Sequence, residues 1–405
     1  MKDNLIEKTG CEVCGNTELT SILNLGLHPM CDDLVPISST WVCNEYPIEI
    51  IYCNNCYTAH QKYQIPKAEL FPKTYHYRAR FTADVLNGMK VLVEDVMKVK
   101  GSLQGKKVLD IGCNDGSLLN FFKAREAITY GIEPTDAYID AKANGHDIIN
   151  GFFSVETAKQ FLENSAQPDI ITFTNVFAHI EDLEGVINGL KLLIHSNTII
   201  VIENHYLGAV LDKFQFDTFY HEHPRTYSYK SFIFIAKSLG LNLISVEFPS
   251  RYGGNIRVIM GNNDEVTRNF AEVAVLEKES RFFDQFNEMR RKIELWKVEM
   301  REAIVDKVKL HGKLKAKAFP GRAAILVKML NLDADLISAA YEKPGSMKID
   351  HYLPGTRIPI MSDEELFKTL RDEKVILNLA WHIEKEIADY LMTKGFSGEL
   401  LNILK

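Results

Sequence analysis

Two pairs of cysteines near the N-terminus constrain the fold of this 405-residue chain more than any other feature. Cys11 and Cys14 form one CxxC pair, and Cys53 and Cys56 form the other. Each pair places two thiolates on a tight turn, and two such turns together provide the four-sulfur shell that Zn²⁺ prefers in closed, structural sites. The segment 15–52 is longer than in a common zinc ribbon and must fold out as an insertion. We predict a structural zinc site in an N-terminal lobe.

Two other interpretations of these four cysteines are open. They are reduced thiols in a core, or they are redox-active, although neither pair opens a helix in a βαβ context as redox CxxC motifs do. The remaining cysteines have no partner at metal-ligand spacing, and we predict that they are small buried residues: Cys31, Cys43 and Cys113.

Composition narrows the classes of function. The length suggests two or three domains. A net charge of −7 disfavours nucleic-acid binding, which needs a basic surface. The segment Met1–Lys8 lacks the apolar core of a signal peptide, and no apolar run approaches the roughly 20 residues that span a bilayer. We expect a cytoplasmic enzyme, monomeric or dimeric, without a nucleic-acid or membrane partner.

Strand and helix patterns divide the chain into four predicted regions. From Lys107 onwards strands and helices alternate, which predicts a parallel sheet with helices on both faces. A charged, amphipathic helical stretch follows, and then a second alternating pattern. The predicted regions are a zinc-binding domain at 1–70, a central α/β domain at 71–262, a helical connection at 263–312 and a C-terminal α/β domain at 313–405.

The first strand of the central domain leads into a candidate cofactor loop. Asp110 ends the strand, and Gly112 and Gly116 permit close approach of the backbone to a nucleoside. Glu133, at the end of the next strand, is placed to accept hydrogen bonds from both ribose hydroxyls. Asn114 breaks the dinucleotide fingerprint, so a cationic, phosphate-free ligand such as S-adenosylmethionine fits better than a pyrophosphate. Glycines that serve packing alone are the other interpretation.

Two groups of residues are candidates for the chemistry. His179 follows the predicted strand Ile170–Phe173, at the sheet edge where open α/β folds bind ligands. A capping or core role for His179 is equally open. Tyr220, His221, Glu222 and His223 are consecutive, and such groups are costly to pack without a function. A metal site at His221 and His223 is disfavoured because residues two apart do not share a helix face.

A series of motifs in one order, over nearly the whole chain, resembles the nucleotide-sugar C-methyltransferases of deoxysugar biosynthesis. The motifs are the two CxxC pairs, Tyr75–Tyr77, Leu109–Gly116, Gly131–Pro134, Asn175–Ile180, Tyr220–His223, Tyr252–Arg257, Tyr352–Ile360 and Leu379–Trp381. The resemblance implies an α/β fold with a zinc-binding lobe, a central class I (Rossmann-like) methyltransferase domain and a smaller Rossmann-like C-terminal domain. It also implies S-adenosylmethionine as methyl donor and a structural Zn²⁺.

The resemblance further implies roles for individual residues. His223 matches the base that takes the C3 proton of a 4-keto sugar linked to TDP or GDP, giving an enolate that attacks the methyl group. Glu222 would hold a histidine tautomer or a sugar hydroxyl, and Asn175 joins the cofactor-binding residues. Candidate donors to the enolate oxygen are Tyr75 or Tyr77, Tyr220 and His179.

Departures from the family pattern leave questions open. Arg78 and Arg80 stand where small hydroxyl residues are usual, and they reach a diphosphate or pair with acidic neighbours. The C-terminal domain has a single glycine, Gly321, in a turn expected to be glycine-rich, so we expect this domain to bind nothing and to serve mainly to close the substrate cleft. The sugar is a hexose or a heptose. Sugar O-methylation and a zinc-ribbon, nucleic-acid-modifying methyltransferase are the alternative functions.

Overall fold

The computed structural model of the chain describes residues 5–71, 78–81, 83–262 and 270–404. The chain forms two compact units. The first comprises Met1–Ser21, Ile50–Gln215 and Glu222–Gln285, and the second comprises Ile22–Glu49, Phe216–His221 and Phe286–Lys405. The chain thus passes between the units several times, and the boundaries of the four regions predicted from the sequence stay predictions.

A seven-stranded sheet forms the centre of the first unit. Its strands are β1 (Lys107–Ile111), β2 (Ile128–Glu133), β3 (Asp147–Asn150), β4 (Ile170–Thr174), β5 (Ile199–His205), β6 (Asn242–Glu247) and β7 (Asn255–Gly261). The spatial order is 3-2-1-4-5-7-6. Strands β1 to β5 are parallel, and β7 runs antiparallel to β5 and β6. The predicted α/β class is confirmed, and the order reverses between β1 and β4, where open sheets bind ligands.

Helices cover this sheet, and their apolar positions explain why. In Ala83–Lys100, apolar side chains at helical spacing are buried: Val85, Met89, Leu92 and Val96. The other helices are Lys67–Leu70, Ser117–Lys123, Ala137–Ala143, Val155–Asn164, Leu183–Leu193, Leu207–Asp212, Tyr229–Ser238 and Glu272–Glu279, with 3-10 turns at Ala79–Phe81, Phe177–His179 and Arg251–Gly253.

The cysteine pairs of the first unit lie on turns between short strands. Ile6–Glu7 pairs antiparallel with Tyr63–Gln64. Ala59–Gln61 pairs with Ile50–Tyr52 on one side and with Arg225–Thr226 on the other. The N-terminal lobe is therefore hydrogen-bonded to the segment that directly follows His223.

The second unit contains a five-stranded parallel sheet. Its strands are Leu314–Lys317, Ile337–Glu342, Ile360–Ser362, Val375–Asn378 and Glu399–Asn402, in the spatial order 3-2-1-4-5. Its helices are Phe282–His311 from Phe286 onwards, Ala323–Met329, Asp363–Phe367 and Glu384–Thr393, with 3-10 turns at Phe216–Thr218 and Trp381–Ile383. It also contains most of strand Thr20–Pro29, the first part of strand Glu45–Tyr52, and the antiparallel strand pair Val35–Pro36 and His351–Tyr352. In the described part of the chain, no helix combines the length and apolarity needed to cross a membrane.

Candidate functional site

The four cysteines of the two CxxC pairs converge on one point of the first unit. The Sγ atoms of Cys11 and Cys56 are 3.4 Å apart, those of Cys14 and Cys53 are 3.6 Å apart, and all four lie within 4.8 Å of one another. Tetrahedral zinc with Zn–S bonds of about 2.3 Å separates its sulfurs by about 3.8 Å. Asn55 Nδ2 donates to Cys14 Sγ at 3.3 Å, as the outer shell of a thiolate site does. The residues therefore fit the predicted Zn²⁺.

The other cysteines and the consecutive histidines do not form a second metal site. Cys31, Cys43 and Cys113 are buried, as predicted. In the ranges that the structure describes, the four-cysteine group is the one cluster of three or more His, Cys, Asp or Glu with ligand atoms this close. The ring of His221 instead bonds the carbonyl of Tyr46 through Nε2 at 3.1 Å. A metal at His221 and His223 thus finds no support.

Two buried carboxylates lie at the carboxyl edge of the central sheet. Asp110 is 3% exposed, and the Thr172 hydroxyl donates to its Oδ1 at 2.6 Å from the adjacent strand β4. Burial, with a contribution from Glu133, raises the pKa of Asp110 to about 7 despite that hydrogen bond. Glu133 ends β2, and its Oε1 accepts hydrogen bonds from the backbone and hydroxyl of Thr135. Two carboxyl groups at one edge suit a cationic ligand.

The loop after β1 has the backbone conformation that its glycines allow. Gly112 and Gly116 have φ of 69° and 77°, in the left-handed region that favours glycine. Asn114 shares this region at φ 50°, and its N–H donates to Glu133 Oε2 at 2.9 Å. Its side-chain Oδ1 accepts from the N–H of Ala79 at 3.0 Å. The chemistry and placement of these residues fit S-adenosylmethionine, the predicted ligand.

The segment Ala79–Phe81 lies against this loop. The N–H of Arg80 donates to Asp115 Oδ2 at 3.0 Å. Arg78 Nε pairs with Asp140 at 2.9 Å, and Arg80 pairs with the same carboxylate at 3.1 Å. The structure therefore supports the interpretation that Arg78 and Arg80 pair with acidic neighbours.

Three histidine rings meet beside the carboxyl ends of β4 and β5. The ring centroid of His223 is 4.9 Å from that of His179 and 5.3 Å from that of His205. His223 is 5% exposed and Glu222 is 6% exposed. His179 Nδ1 lies 2.6 Å from the backbone oxygen of Glu222. The structure thus brings the predicted base together with His179, and it adds His205.

The environment of His179 determines its protonation. Burial lowers the pKa of His179 to about 4, although the carbonyl groups of Glu222 and Asn175 raise it. The ring is therefore neutral near pH 7. With Nδ1–H donating to Glu222, Nε2 of the neutral ring is an acceptor. His179 consequently ties the loop of Glu222 to the end of β4, where Asn175 has φ 55° and donates its N–H to the Glu203 carbonyl at 2.8 Å.

The predicted tyrosines have separate positions. Tyr220 belongs to the segment Phe216–His221 of the second unit. Tyr75 and Tyr77 lie outside the described residues. In that segment, burial lowers the pKa of His221 to about 4, so its ring is also neutral near pH 7.

The chain after His223 is held by the zinc-binding lobe. The Gln61 N–H donates to the Pro224 carbonyl at 2.8 Å. Arg225 is fully buried, forms an ion pair with Glu12, and donates from Nε to the Tyr227 hydroxyl at 3.1 Å. Because Glu12 follows the ligand Cys11, the first knuckle and the segment after the base share one buried network.

Several site residues were missed from the sequence. Thr172 is a polar residue inside an apolar strand, and this break in the apolar pattern could have identified it. In the structure it pairs in register with Asp110. Thr135, two residues after Glu133, is a short-range turn residue of the kind that bonds its own backbone. His205 ends a strand whose pattern does not reveal that its ring meets His223.

Three family models match the chain in succession. Residues 11–71 match the "Putative zinc binding domain" model, residues 87–246 the "Methyltransferase domain" model, and residues 250–398 the "C-methyltransferase C-terminal domain" model. The matches cover the four cysteines, the cofactor loop with the three-histidine cluster, and most of the second unit's sheet.

Two named relatives and one solved structure are similar to all or part of the chain. The chain is 26% identical over 387 residues to C-methyltransferase NovU of Streptomyces niveus, covering 94% of this chain and 91% of that protein. It is 27% identical over 106 residues to a ubiquinone biosynthesis O-methyltransferase of Bordetella avium (strain 197N), covering 25% and 44%. A solved structure of a SAM dependent methyltransferase from Archaeoglobus fulgidus is 16% identical, covers 42% of this chain and 93% of that chain, and has a TM-score of 0.34, from which nothing further follows.

Proposed function

Because the chain is an S-adenosylmethionine-dependent methyltransferase, we propose that it is a C-methyltransferase that methylates carbon 3 of a 4-keto deoxysugar linked to TDP or GDP. The supporting observation is the position of His223. Its ring packs against His179 and His205 at the carboxyl edge of the sheet whose first two strands carry Asp110 and Glu133. A base and a methyl-donor site on one sheet edge suit deprotonation and alkylation of the same carbon.

The proposed reaction begins with proton removal. The C4 ketone acidifies the C3 hydrogen, and neutral His223 takes that proton while the electron pair of the C–H bond moves into the C4 oxygen as an enolate. Bound S-adenosylmethionine supplies an electrophilic methyl group. Carbon 3 then bonds to that methyl carbon, and the electron pair of the broken C–S bond stays on sulfur. A positioned base contributes roughly 10² to 10⁴ in rate.

The enolate oxygen needs donors that strengthen as its charge develops. We assign this role to Tyr220 and to Tyr75 or Tyr77, whose hydroxyl groups are donors at neutral pH. His179 can donate from Nε2 only as the charged ring, because Nδ1 already donates to Glu222. We therefore place His179 beside the base, where it orients His223 and the Glu222 loop.

Hydrogen exchange tests the base. With S-adenosylhomocysteine in place of the methyl donor, the wild-type enzyme should exchange the C3 hydrogen of its substrate in D₂O, and His223→Asn should not. His195→Asn is a matched control, since His195 is partly buried in the same unit but lies at the opposite end of the sheet, before β5. Exchange by His223→Asn at the wild-type rate would show that another group is the base.

Product analysis tests the substrate class. The enzyme is incubated with S-adenosylmethionine and TDP- or GDP-linked 4-keto-6-deoxy sugars, and the new methyl group is located by mass spectrometry and NMR. A methyl group on carbon 3 supports the proposal. A methyl group on oxygen would favour the O-methyltransferase alternative, which the partial similarity to an O-methyltransferase keeps in view.

A further inference from the structure

The strand order of the second unit's sheet reverses at one point, as it does in the central sheet. Its strand order, 3-2-1-4-5, reverses between Leu314–Lys317 and Val375–Asn378. In open parallel sheets, ligands bind outside the carboxyl ends of the strands at this point. Arg322 follows the first of these strands and Trp381 follows the second. Both side chains contact Asp217 of the same unit.

One oxygen of the Asp217 carboxylate, Oδ2, is bound by two donors, and the other, Oδ1, is buried without a hydrogen-bond partner among the described residues. Trp381 Nε1 donates to Asp217 Oδ2 at 3.0 Å, and Arg322 Nε lies 3.3 Å from the same oxygen. Arg322 also donates to the Thr218 hydroxyl at 3.2 Å, and its guanidinium carbon is 5.3 Å from the Trp381 ring centroid. Asp217 and Thr218 are fully buried. This negative charge therefore comes from the chain itself.

The rest of the segment Phe216–His221 is fixed within the same unit. The rings of Phe216 and Trp296 are 5.1 Å apart, and those of Phe219 and Phe286 are 5.8 Å apart. His221 Nε2 is bonded to the Tyr46 carbonyl at 3.1 Å. Tyr220 thus lies in a segment anchored on both sides, and this segment continues directly into Glu222 and His223.

We propose that the crevice of the C-terminal sheet is plugged by Asp217, and that Asp217, Arg322 and Trp381 are positioning residues for Tyr220. The proposal accounts for the single glycine of the turn 319–324: a carboxylate on the chain's own segment needs no glycine-rich backbone around a diphosphate. In this proposal the C-terminal domain holds the segment Phe216–His221, which carries Tyr220. The positioning role rests on the proposed function, because it takes Tyr220 to act in the reaction.

The plug itself is tested without substrate. The chain has three tryptophans, so the ¹⁵N–¹H spectrum of the full-length protein contains three indole N–H signals, and Trp381→Phe identifies one of them. Asp217→Asn should move this signal upfield and speed its exchange with solvent, because a neutral amide is a weaker acceptor than a carboxylate. An unchanged Trp381 signal in Asp217→Asn would overturn the plug.

A double-mutant cycle with Tyr220→Phe tests the positioning role. Asp217→Asn should lower kcat for C-methylation by about 10- to 100-fold, as small displacements of catalytic groups do, with KM for S-adenosylmethionine unchanged. In the Tyr220→Phe background it should cost little more, because the two variants impair the same group. Fully additive losses would overturn the role of the plug.

A matched control separates positioning from general destabilisation. Lys317, on the strand Leu314–Lys317, and Asp363, on the helix Asp363–Phe367, form a buried ion pair in the same unit, with Nζ and Oδ1 2.8 Å apart. Asp363→Asn should lower Tm while kcat below that Tm stays near wild type. A kcat loss in Asp363→Asn equal to that of Asp217→Asn would refute positioning. Full C-methylation activity in Tyr220→Phe would refute the assigned role of Tyr220 and the positioning claim with it, while the indole signal still decides the plug.

Discussion

Replacing Asp110 by Asn should stabilise the ligand-free protein and at the same time weaken its binding of S-adenosylhomocysteine. Burial and the neighbouring Glu133 raise the pKa of Asp110 from 3.8 to about 7. The folded protein therefore carries a carboxyl group that resists ionisation at neutral pH. Asn has nearly the same shape, and its side-chain oxygen can still accept the hydrogen bond from Thr172.

The magnitude follows from the pKa difference. A rise from 3.8 to about 7 is about 3 pKa units, and each unit is worth about 1.36 kcal/mol. Below pH 3.8 the carboxyl group is protonated in both the folded and unfolded states, and no penalty exists. As pH rises the unfolded state ionises first, so the penalty on folding grows to about 4 kcal/mol above pH 7. Asp110→Asn should gain up to this amount at pH 8 and about 1.7 kcal/mol at pH 5.

Ligand binding should depend on the same proton. The amino group of S-adenosylhomocysteine is a cation, and it pairs best with ionised Asp110. Between pH 8 and pH 6 the ionised fraction at a pKa of about 7 falls roughly tenfold, and the affinity of the wild-type protein should fall by the same factor. The Asn variant should bind more weakly at both pH values, without this pH dependence.

Denaturant unfolding and titration calorimetry measure the two effects. Unfolding free energies of the wild-type protein, Asp110→Asn and Asp169→Asn are compared at pH 5 and pH 8. Asp169 is a partly buried carboxylate at the opposite end of the sheet and should show no gain. If Asp110→Asn is no more stable than wild type at pH 8, or if wild-type affinity is the same at pH 6 and pH 8, the carboxyl group is not held as described.

Two further predictions concern the zinc-binding lobe. Cys56→Ser, or treatment with a chelator, should lower both the amount of bound zinc and Tm. The control variant Cys31→Ser should keep about one zinc per chain in elemental analysis. Equal zinc content in the two variants would contradict the four-cysteine site. Arg225→Met should cost about 3 to 5 kcal/mol in denaturant unfolding because it leaves Glu12 with a broken ion pair, and the double variant with Glu12→Gln should recover part of that loss. No recovery in the double variant would show that packing, not charge, determines the cost.

The features that the sequence predicts well are local. Gly112 and Gly116 require positive φ, and both have it. The CxxC spacing by itself forms two turns, and their thiols converge as zinc requires. The prediction of the zinc site succeeds because the conformation of each CxxC turn is determined by residues within a few positions.

The features that the sequence does not predict depend on pairing between distant segments. Strand β3 (Asp147–Asn150) has no clear sequence pattern because it is short and has only Ile148 buried. His205 meets His223 only because β5 and the loop after the Tyr220 segment end at one place. Likewise, Arg225 pairs with Glu12 across most of the chain length. Periodicity and spacing carry no information about such contacts.

The two sheets of this chain differ in the charges that they place where the strand order reverses. Each has a crevice where its strand order reverses, and such a crevice exposes strand ends that need partners. The central sheet places the carboxyl groups of Asp110 and Glu133 there, and both suit a cationic ligand. The C-terminal sheet places Arg322 there and offsets it with Asp217 of the same unit. The acidic groups at the first crevice therefore suit a cation from outside the chain, whereas the arginine at the second is paired within its own unit. For this reason only the first should show the pH-linked binding predicted for Asp110.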